Sequence, residues 1–339
     1  VFQTNVEDTK NECYGSECRT GFCNGNGVCE LSPVGTVCRD DGYSYTDDEC
    51  DSTGTCVHLL NQWIRIYAGD GLDFGQSIRQ TLDGGYIVTG YTSSFDSQNF
   101  DFWLLKLSRT GEVVWEKTLG GISIDWAYSV EQTSDEGFVV AGYSRSFTSG
   151  GDADMLVVKL SNDGSLSWQK TYGGSDYDEA RSIQQISSGG YIVAGITQSF
   201  DTGTNDIWLM KLDSLGELVW EKGFGGNCSY EAYSVLESTD GGYVVAGHVH
   251  SCELANRDVL ILKFDTNGDL LWRKHYGGRS SEYAHSIDHT SDGGYIVAGR
   301  SRSFGDSTSN TDVWVLKLDG NGAISWQKTF GGDFFDRAY

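Results

Sequence analysis

Three features of the 339-residue sequence predict an all-β chain, a β-propeller of about 52-residue four-stranded blades preceded by a small disulfide-rich domain. A tryptophan recurs at Trp63, Trp115, Trp168, Trp220, Trp272 and Trp326, at spacings of 52, 53, 52, 52 and 54 residues. A Gly-Gly pair follows at 120–121, 173–174, 225–226, 277–278 and 331–332. Seven of the nine cysteines are confined to the stretch from Cys13 to Cys56. A repeat of this length holding several short strands is the pattern of propeller blades, in which each sheet buries its faces against its neighbours. No helical period runs far enough to suggest a helical solenoid.

The segment 1–60 comes first. It carries 11 acidic and 3 basic residues and has no long apolar periodicity. So short a segment buries little surface and needs covalent staples. Cys13, Cys18, Cys23, Cys29, Cys38, Cys50 and Cys56 therefore read as a disulfide framework of open connectivity. Zinc is the weaker reading, because there is no C-x2-C pair and His58 is the only nearby histidine. Disulfides place the expected site of action outside the cell. The chain opens on Val1, as a processed mature form would.

Residues 61–339 form the predicted propeller domain. The third unit shows the elements in order. Strand A covers Ala180–Gln185, and a Gly-Gly turn leads to strand B, Tyr191–Gly195. A Ser/Thr/Asp/Gly loop leads to strand C, Asp206–Leu212, and the turn Asp213–Gly216 leads to strand D, Glu217–Lys222. Glycine stands where tight turns need positive φ, and the strands are rich in Val, Ile, Tyr and Trp.

The C–D hairpins share one form: Leu212-Asp213-x-x-Gly216-x-x-x-Trp220, Phe264-Asp265-x-x-Gly268-x-x-x-Trp272, Leu318-Asp319-x-x-Gly322-x-x-x-Trp326. This resembles the tryptophan-docking motif of quinoprotein-like propellers, in which the glycine closes the turn and the tryptophan packs between blades. The longer pattern, G-G-Y-I-V-A-G followed by W-L-x-K-L-D-x-x-G-x-x-x-W, is similar to propeller repeats of secreted bacterial and archaeal proteins. The stretch from Cys38 through Asp40-Asp41-Gly42 to Cys50 and Cys56 resembles a cysteine-rich module of bacterial secreted proteins, with Tyr45 where that module has a cysteine. These resemblances imply a fold and a secreted setting, and no single activity.

Complete strand sets begin near 72, 124, 177, 229 and 281, which makes five. A D-like strand, 63–69, precedes them and the start of an A strand, 333–339, follows. Neither five nor six blades close without remainder. Unpaired edges and exposed aromatics invite another chain. Trp63, Ile64, Ile66, Phe334, Phe335 and Tyr339 are the candidate assembly residues. Alternatively, the extra strand adds to a blade edge and the C-terminal piece packs as a loop.

Recurring carboxylates are the next candidates. Asp101, Asp154, Asp206, Asp258 and Asp312 open strand C, and Asp73, Asp125, Asp178, Glu282 and Asp336 precede strand A. The D–A and B–C loops share one face, so the strand-C aspartates are a candidate calcium ring. The competing reading makes each a cap of its own loop. Lys106, Lys159, Lys211, Lys263 and Lys317 recur in register and read as structural, snorkelling or paired with a carboxylate on the adjacent strand. His248, His250, His275, His285 and His289 cluster in the last two units and read as surface residues rather than metal ligands. Cys228 and Cys252 lie in loops on one face of the same unit and are the expected disulfide pair. Asn227-Cys228-Ser229 matches a glycosylation sequon.

The net charge of −24 argues against nucleic acid, which needs a basic stripe, and against anionic membrane surfaces. No apolar run is long enough to cross a membrane as a helix. No nucleophile–base motif, zinc-protease motif or phosphate loop is present. The expectation is a secreted, non-enzymatic structural or interaction protein, with no cofactor other than a candidate calcium. It would self-associate head-to-tail into a filament or surface structure. The alternatives are a monomeric adhesin for protein or glycan and a quinone-dependent oxidoreductase.

Overall fold

The computed structural model describes residues 63–332 apart from 96–98, 149–151, 201–203, 251–255 and 306–310, residues 334–338, and the backbone of four short strands before them. The chain divides into two compact units, Val1–Ile66 and Tyr67–Tyr339.

In the first unit, β1 (Arg19–Cys23) pairs antiparallel with β2 (Cys29–Leu31), and β3 (Thr46–Cys50) with β4 (Cys56–Leu60). The register sets Cys23 opposite Cys29 and Cys50 opposite Cys56. Cys13, Cys18 and Cys38 lie outside the described residues.

The second unit holds five four-stranded antiparallel sheets, the blades that the period predicts. The first is β5 (Asp73–Gln80), β6 (Tyr86–Thr92), β7 (Asp101–Leu107) and β8 (Val113–Leu119). The second is β9 (Asp125–Gln132), β10 (Phe138–Ser144), β11 (Asp154–Leu160) and β12 (Leu166–Tyr172). The third is β13 (Asp178–Gln185), β14 (Tyr191–Thr197), β15 (Asp206–Leu212) and β16 (Leu218–Phe224). The fourth is β17 (Ser229–Glu237), β18 (Tyr243–His250), β19 (Arg257–Phe264) and β20 (Leu270–Tyr276). The fifth is β21 (Glu282–His289), β22 (Tyr295–Ser301), β23 (Asp312–Leu318) and β24 (Ile324–Phe330). No helix occurs among the described residues.

The second strands of the second, third and fourth blades are buried on both sides, because each of these blades packs between two others, whereas those of the first and fifth blades alternate between buried and half-buried residues. Four apolar cores result, one at each junction of successive blades. At the first junction Phe102 and Leu104 meet Val130, Phe138 and Leu156. At the last, Val244 and Ile261 meet Ile287, Val297 and Leu316. Each docking tryptophan lies over the turn glycine of the next blade, Trp115 on Gly164, Trp168 on Gly216, Trp220 on Gly268 and Trp272 on Gly322. These glycines have φ between 74° and 78°, which leaves room for the ring and suits no side chain.

The inner strands solve their edge problem with side chains. Ser129 Oγ accepts the Ile183 N–H at 3.2 Å, Ser182 Oγ that of Val235 at 3.1 Å, and Ser234 Oγ that of Ile287 at 3.3 Å. The second, third and fourth blades thus each satisfy a backbone donor of the following blade, which an edge strand otherwise leaves open.

Among the described residues no apolar core joins the fifth blade to the first. Ile78 of β5 is 53% exposed, whereas its counterpart Ile183 is 4% exposed. Trp326, which has no following glycine to cover, is 43% exposed. Residues 63–69 form no ladder among the described residues, so the expected D-like strand is absent as a strand. Tyr67 still donates to the Gly111 carbonyl at 2.8 Å, as Tyr276 does to that of Gly322 at 2.5 Å. At the other end the Asp336 N–H reaches the Thr311 carbonyl at 2.7 Å, repeating the Asp125–Phe100 and Asp178–Ala153 bonds.

Candidate functional site

Every inner strand carries a β-bulge at the same place. The extra residues are Gln76, Tyr128, Arg181, Tyr233 and His285. Opposite stands a glycine of the second strand, Gly90, Gly142, Gly195, Gly247 or Gly299. A Cβ on any of these would overlap the carbonyl oxygen of Phe74, Trp126, Glu179, Glu231 or Tyr283 respectively. The glycine therefore admits the bulge. A bulge bends its strand and re-aims one side chain.

The bulge residues and their neighbours meet across blades. Arg181 lies 4.1 Å from the Tyr128 ring centre and 5.3 Å from that of Tyr233, and its Nε bonds Glu179 Oε1 at 2.5 Å. Glu179 is fully buried and also accepts from the Tyr177 hydroxyl at 2.5 Å. Burial, reinforced by the Glu179 charge, pushes the Tyr128 and Tyr177 hydroxyls up, so both stay protonated donors.

A second group occupies the junction of the fourth and fifth blades. Tyr233 stacks on His248 with 5.3 Å between ring centres, and its hydroxyl donates to Glu231 at 2.8 Å. His248 Nε2 stands 3.4 Å from Glu231 Oε2. Tyr283 packs edge-on to His248 at 4.8 Å and carries Arg300 4.0 Å from its ring centre. Arg257 donates to the Tyr283 hydroxyl at 3.1 Å. Burial first, then the Arg300 and Arg337 charges, bring His285 down to about 4. Burial likewise lowers His248 to about 4, against the opposing pull of Glu231.

At the opposite end of the inner strands is a polar cavity of about 360 Å³. Arg79, Glu131, Gln184, Ser234, Ser286 and Asp288 line it. Burial raises the Glu131 carboxyl to about 7, although Glu131 accepts the Gln185 N–H at 2.5 Å.

The residues singled out from sequence are distributed as follows. Asp101, Asp154, Asp206, Asp258 and Asp312 stand one per blade. The described residues contain no group of three or more His, Cys, Asp or Glu suited to a metal. Each instead presses on the first glycine of the Gly-Gly pair, and at Gly277 both Asp258 and Glu282 crowd the same point. Burial and the neighbouring carboxylates Asp178 and Glu282 push Asp154 and Asp258 up. Asp125 and Asp178 cap their loops through the Gly121 and Gly174 N–H groups, each at 2.9 Å.

Lys106, Lys159, Lys263 and Lys317 are buried and pair with the A–B turn rather than with the adjacent strand. Lys106 bonds Asp83 at 2.8 Å, and Lys159 and Lys317 bond Asp135 and Asp292 at 2.9 Å. Ser188 stands at that turn position in the third blade, and Lys211 lies over the Tyr243 ring instead. Cys228 is disulfide-bonded, and Cys252 lies outside the described residues. Ile64 is 99% and Phe334 82% exposed; Ile66 and Phe335 are exposed and Trp63 half-buried. Tyr339 lies outside the described residues.

The histidine expectation is corrected. His248 is 2% exposed, packed against the Tyr233 and Tyr283 rings opposite Glu231. For the bulge residues the signal was a recurring frame with one strongly changing position, Gly75-Gln76-Ser77-Ile78, Ala127-Tyr128-Ser129-Val130, Ala180-Arg181-Ser182-Ile183, Ala232-Tyr233-Ser234-Val235 and Ala284-His285-Ser286-Ile287, and His248 lies outside it.

No protein-family model matches the chain. The chain is 25% identical over 186 residues to the regulatory protein FlaEY of Caulobacter vibrioides, covering 46% of this chain and 20% of that protein. It thus spans about a fifth of that relative's length. Similar solved structures include the WD40 domain of Neurospora crassa Pan2 (12% identity, 76% of this chain and 66% of that one, TM-score 0.46). An endo-1,5-α-L-arabinanase of Thermotoga petrophila is also similar (14%, 78% and 75%, TM-score 0.42), as is a candidate gluconolactonase (13%, 68% and 86%, TM-score 0.35). Enzymes stand among these structures, and this overturns the expectation that the chain is not an enzyme. The lack of sequence motifs excluded too much, since propeller sites are assembled from separate blades.

Proposed function

We propose that the chain is a secreted interaction protein that associates with further copies of itself through the open flanks of its first and fifth blades. The carrying observation is the contrast between Ile78, 53% exposed, and Ile183, 4% exposed, at one repeat position. Within the chain, every first-blade-like flank receives the flank of a preceding blade. The uncovered fifth-blade flank presents Trp326 and Phe330, whose counterparts Trp115 and Leu119, Trp168 and Tyr172, and Trp220 and Phe224 pack at the junctions within the chain, and the first-blade flank presents Phe74 and Ile78. Such a contact is heterologous and gives a ring or an open filament. The bonded state of Cys228 supports an oxidising compartment.

Deleting residues 333–339 and changing Trp326→Ser tests the fifth-blade flank, and Phe74→Ser with Ile78→Ser tests the first. Each set is expected to leave a folded protein that no longer associates in light scattering. Association of both variants at wild-type strength would overturn the proposal. A second reading, a binding propeller, draws on the cluster of aromatic, arginine and carboxylate side chains around the bulges.

A further inference from the structure

The junction of the fourth and fifth blades holds polar groups whose chemistry is incomplete without a ligand. The His248 imidazole is buried, and its Nδ1 has no hydrogen-bond partner. Its Nε2 faces Glu231 Oε2 at 3.4 Å, which places the ring proton on Nε2. Burial keeps the ring neutral near pH 7. Nδ1 is then a lone-pair acceptor in a dry setting, and it calls for a hydroxyl donor.

The charges around it call for an anion. Arg257 and Arg300 both lie over Tyr283, at 5.5 and 4.0 Å from the ring centre. Arg337 joins Arg300 in repelling a proton from His285. Glu231 is the carboxylate that acts on His248 from within this corner. Three arginines against one glutamate is a local excess of positive charge, in a chain with twice as many acidic as basic residues. Guanidinium groups held by aromatic rings are pre-organised to take a carboxylate through paired N–H donors. Tyr283, His285, Arg257 and Arg300 are half-buried.

We propose that this junction is a binding site for a small hydroxylated carboxylate of the sugar-acid class. The carboxylate faces Arg257 and Arg300, and a ligand hydroxyl donates to His248 Nδ1. None of these side chains repeats in the other blades. The third blade has Ile196 where the fourth has His248 and the fifth Arg300. A structural role would have no need of such a departure. His248 and Arg300 stand on the second strands β18 and β22 and Arg257 on the third strand β19, whereas Arg337 belongs to the C-terminal segment that the flank test deletes.

The six histidines make the full-length chain suited to imidazole proton–carbon NMR. Adding sodium D-glucuronate is expected to shift the His248 and His285 signals while leaving His275 and His289 in place. Glucose, which lacks the carboxylate, and acetate, which lacks the hydroxyls, are expected to shift neither at the same concentration. Arg300→Gln and, separately, Arg257→Gln are expected to weaken binding at least tenfold, with His275 and His289 reporting that the fold persists. An oligoglucuronate run alongside assigns the ligand as a free sugar acid or as a residue of an acidic polysaccharide. No shift with either uronate, an equal response to acetate or glucose, or unchanged binding in both arginine variants would overturn the proposal.

Discussion

The ring of Trp168 closes over Gly216 so tightly that a β-carbon there would stand 2.8 Å from it. Gly84 has the same positive φ but nothing within 4 Å of its missing β-carbon. The pair separates backbone strain from docking. Gly84→Ala is expected to cost about 1–2 kcal/mol, the price of a left-handed alanine. Gly216→Ala is expected to cost roughly 1–3 kcal/mol more, because the tryptophan must shift. Urea denaturation of both variants measures the difference, and equal losses would mean that the docked ring tolerates a methyl group.

Glu136 has a φ of 64° where Gly84, Gly189, Gly241 and Gly293 stand in the other A–B turns. Replacing it with glycine relieves that conformation. Glu136→Gly is expected to stabilise the chain by about 1 kcal/mol, read as a rise in the urea midpoint at constant slope. A lower midpoint would show that the Glu136 side chain contributes more than its backbone costs.

Much of this architecture was legible because its physics repeats. Positive-φ glycines, the docking tryptophan and the apolar middle strands recur at one period, so Gly216, Trp168 and Val193 each announce their place. The site at the bulges was not legible in the same way. Its residues occupy one register position in a recurring frame, and they differ from blade to blade. Tyr128, Arg181, Tyr233 and His285 look like drift when the repeat is read for sameness. Their convergence depends on the bulge, which a glycine in the middle of the neighbouring second strand admits, away from any turn. The unladdered segment 63–69 failed for the converse reason: its residues match a D strand, but a strand needs a partner beside it.

Asp258 has its carboxyl pushed up by burial and by the charge of Glu282. A raised folded-state value means that the group favours folding fully below its unfolded value near 3.8. That stability is lost as pH rises through the folded value. Asp258→Asn removes the penalty. The variant is expected to melt higher than the wild type at pH 7, with the advantage vanishing toward pH 3. A lower melting temperature at pH 7 would show that an ionised Asp258 holds the Gly277 turn. Calcium bears on the same aspartates, since a cation shared by the paired carboxylates would offset their repulsion. A chelator at matched ionic strength would then lower the melting temperature. An unchanged curve would leave Asp101, Asp154, Asp206, Asp258 and Asp312 as groups that hold their loops.

Non-reducing peptide mapping is expected to join Cys228 to Cys252. At least three further bridges are expected among the cysteines of the first 60 residues. Free thiols at most of these positions would contradict an extracellular setting.

Sedimentation velocity of the intact, oxidised chain over a wide concentration range tests the central claim most directly. Burying aromatic and aliphatic side chains of this size is worth roughly 1.5–3 kcal/mol each, enough for the two open flanks to hold a second copy. The account predicts species heavier than the 37.1 kDa monomer, growing as the concentration rises. A single 37.1 kDa species at every concentration would contradict it.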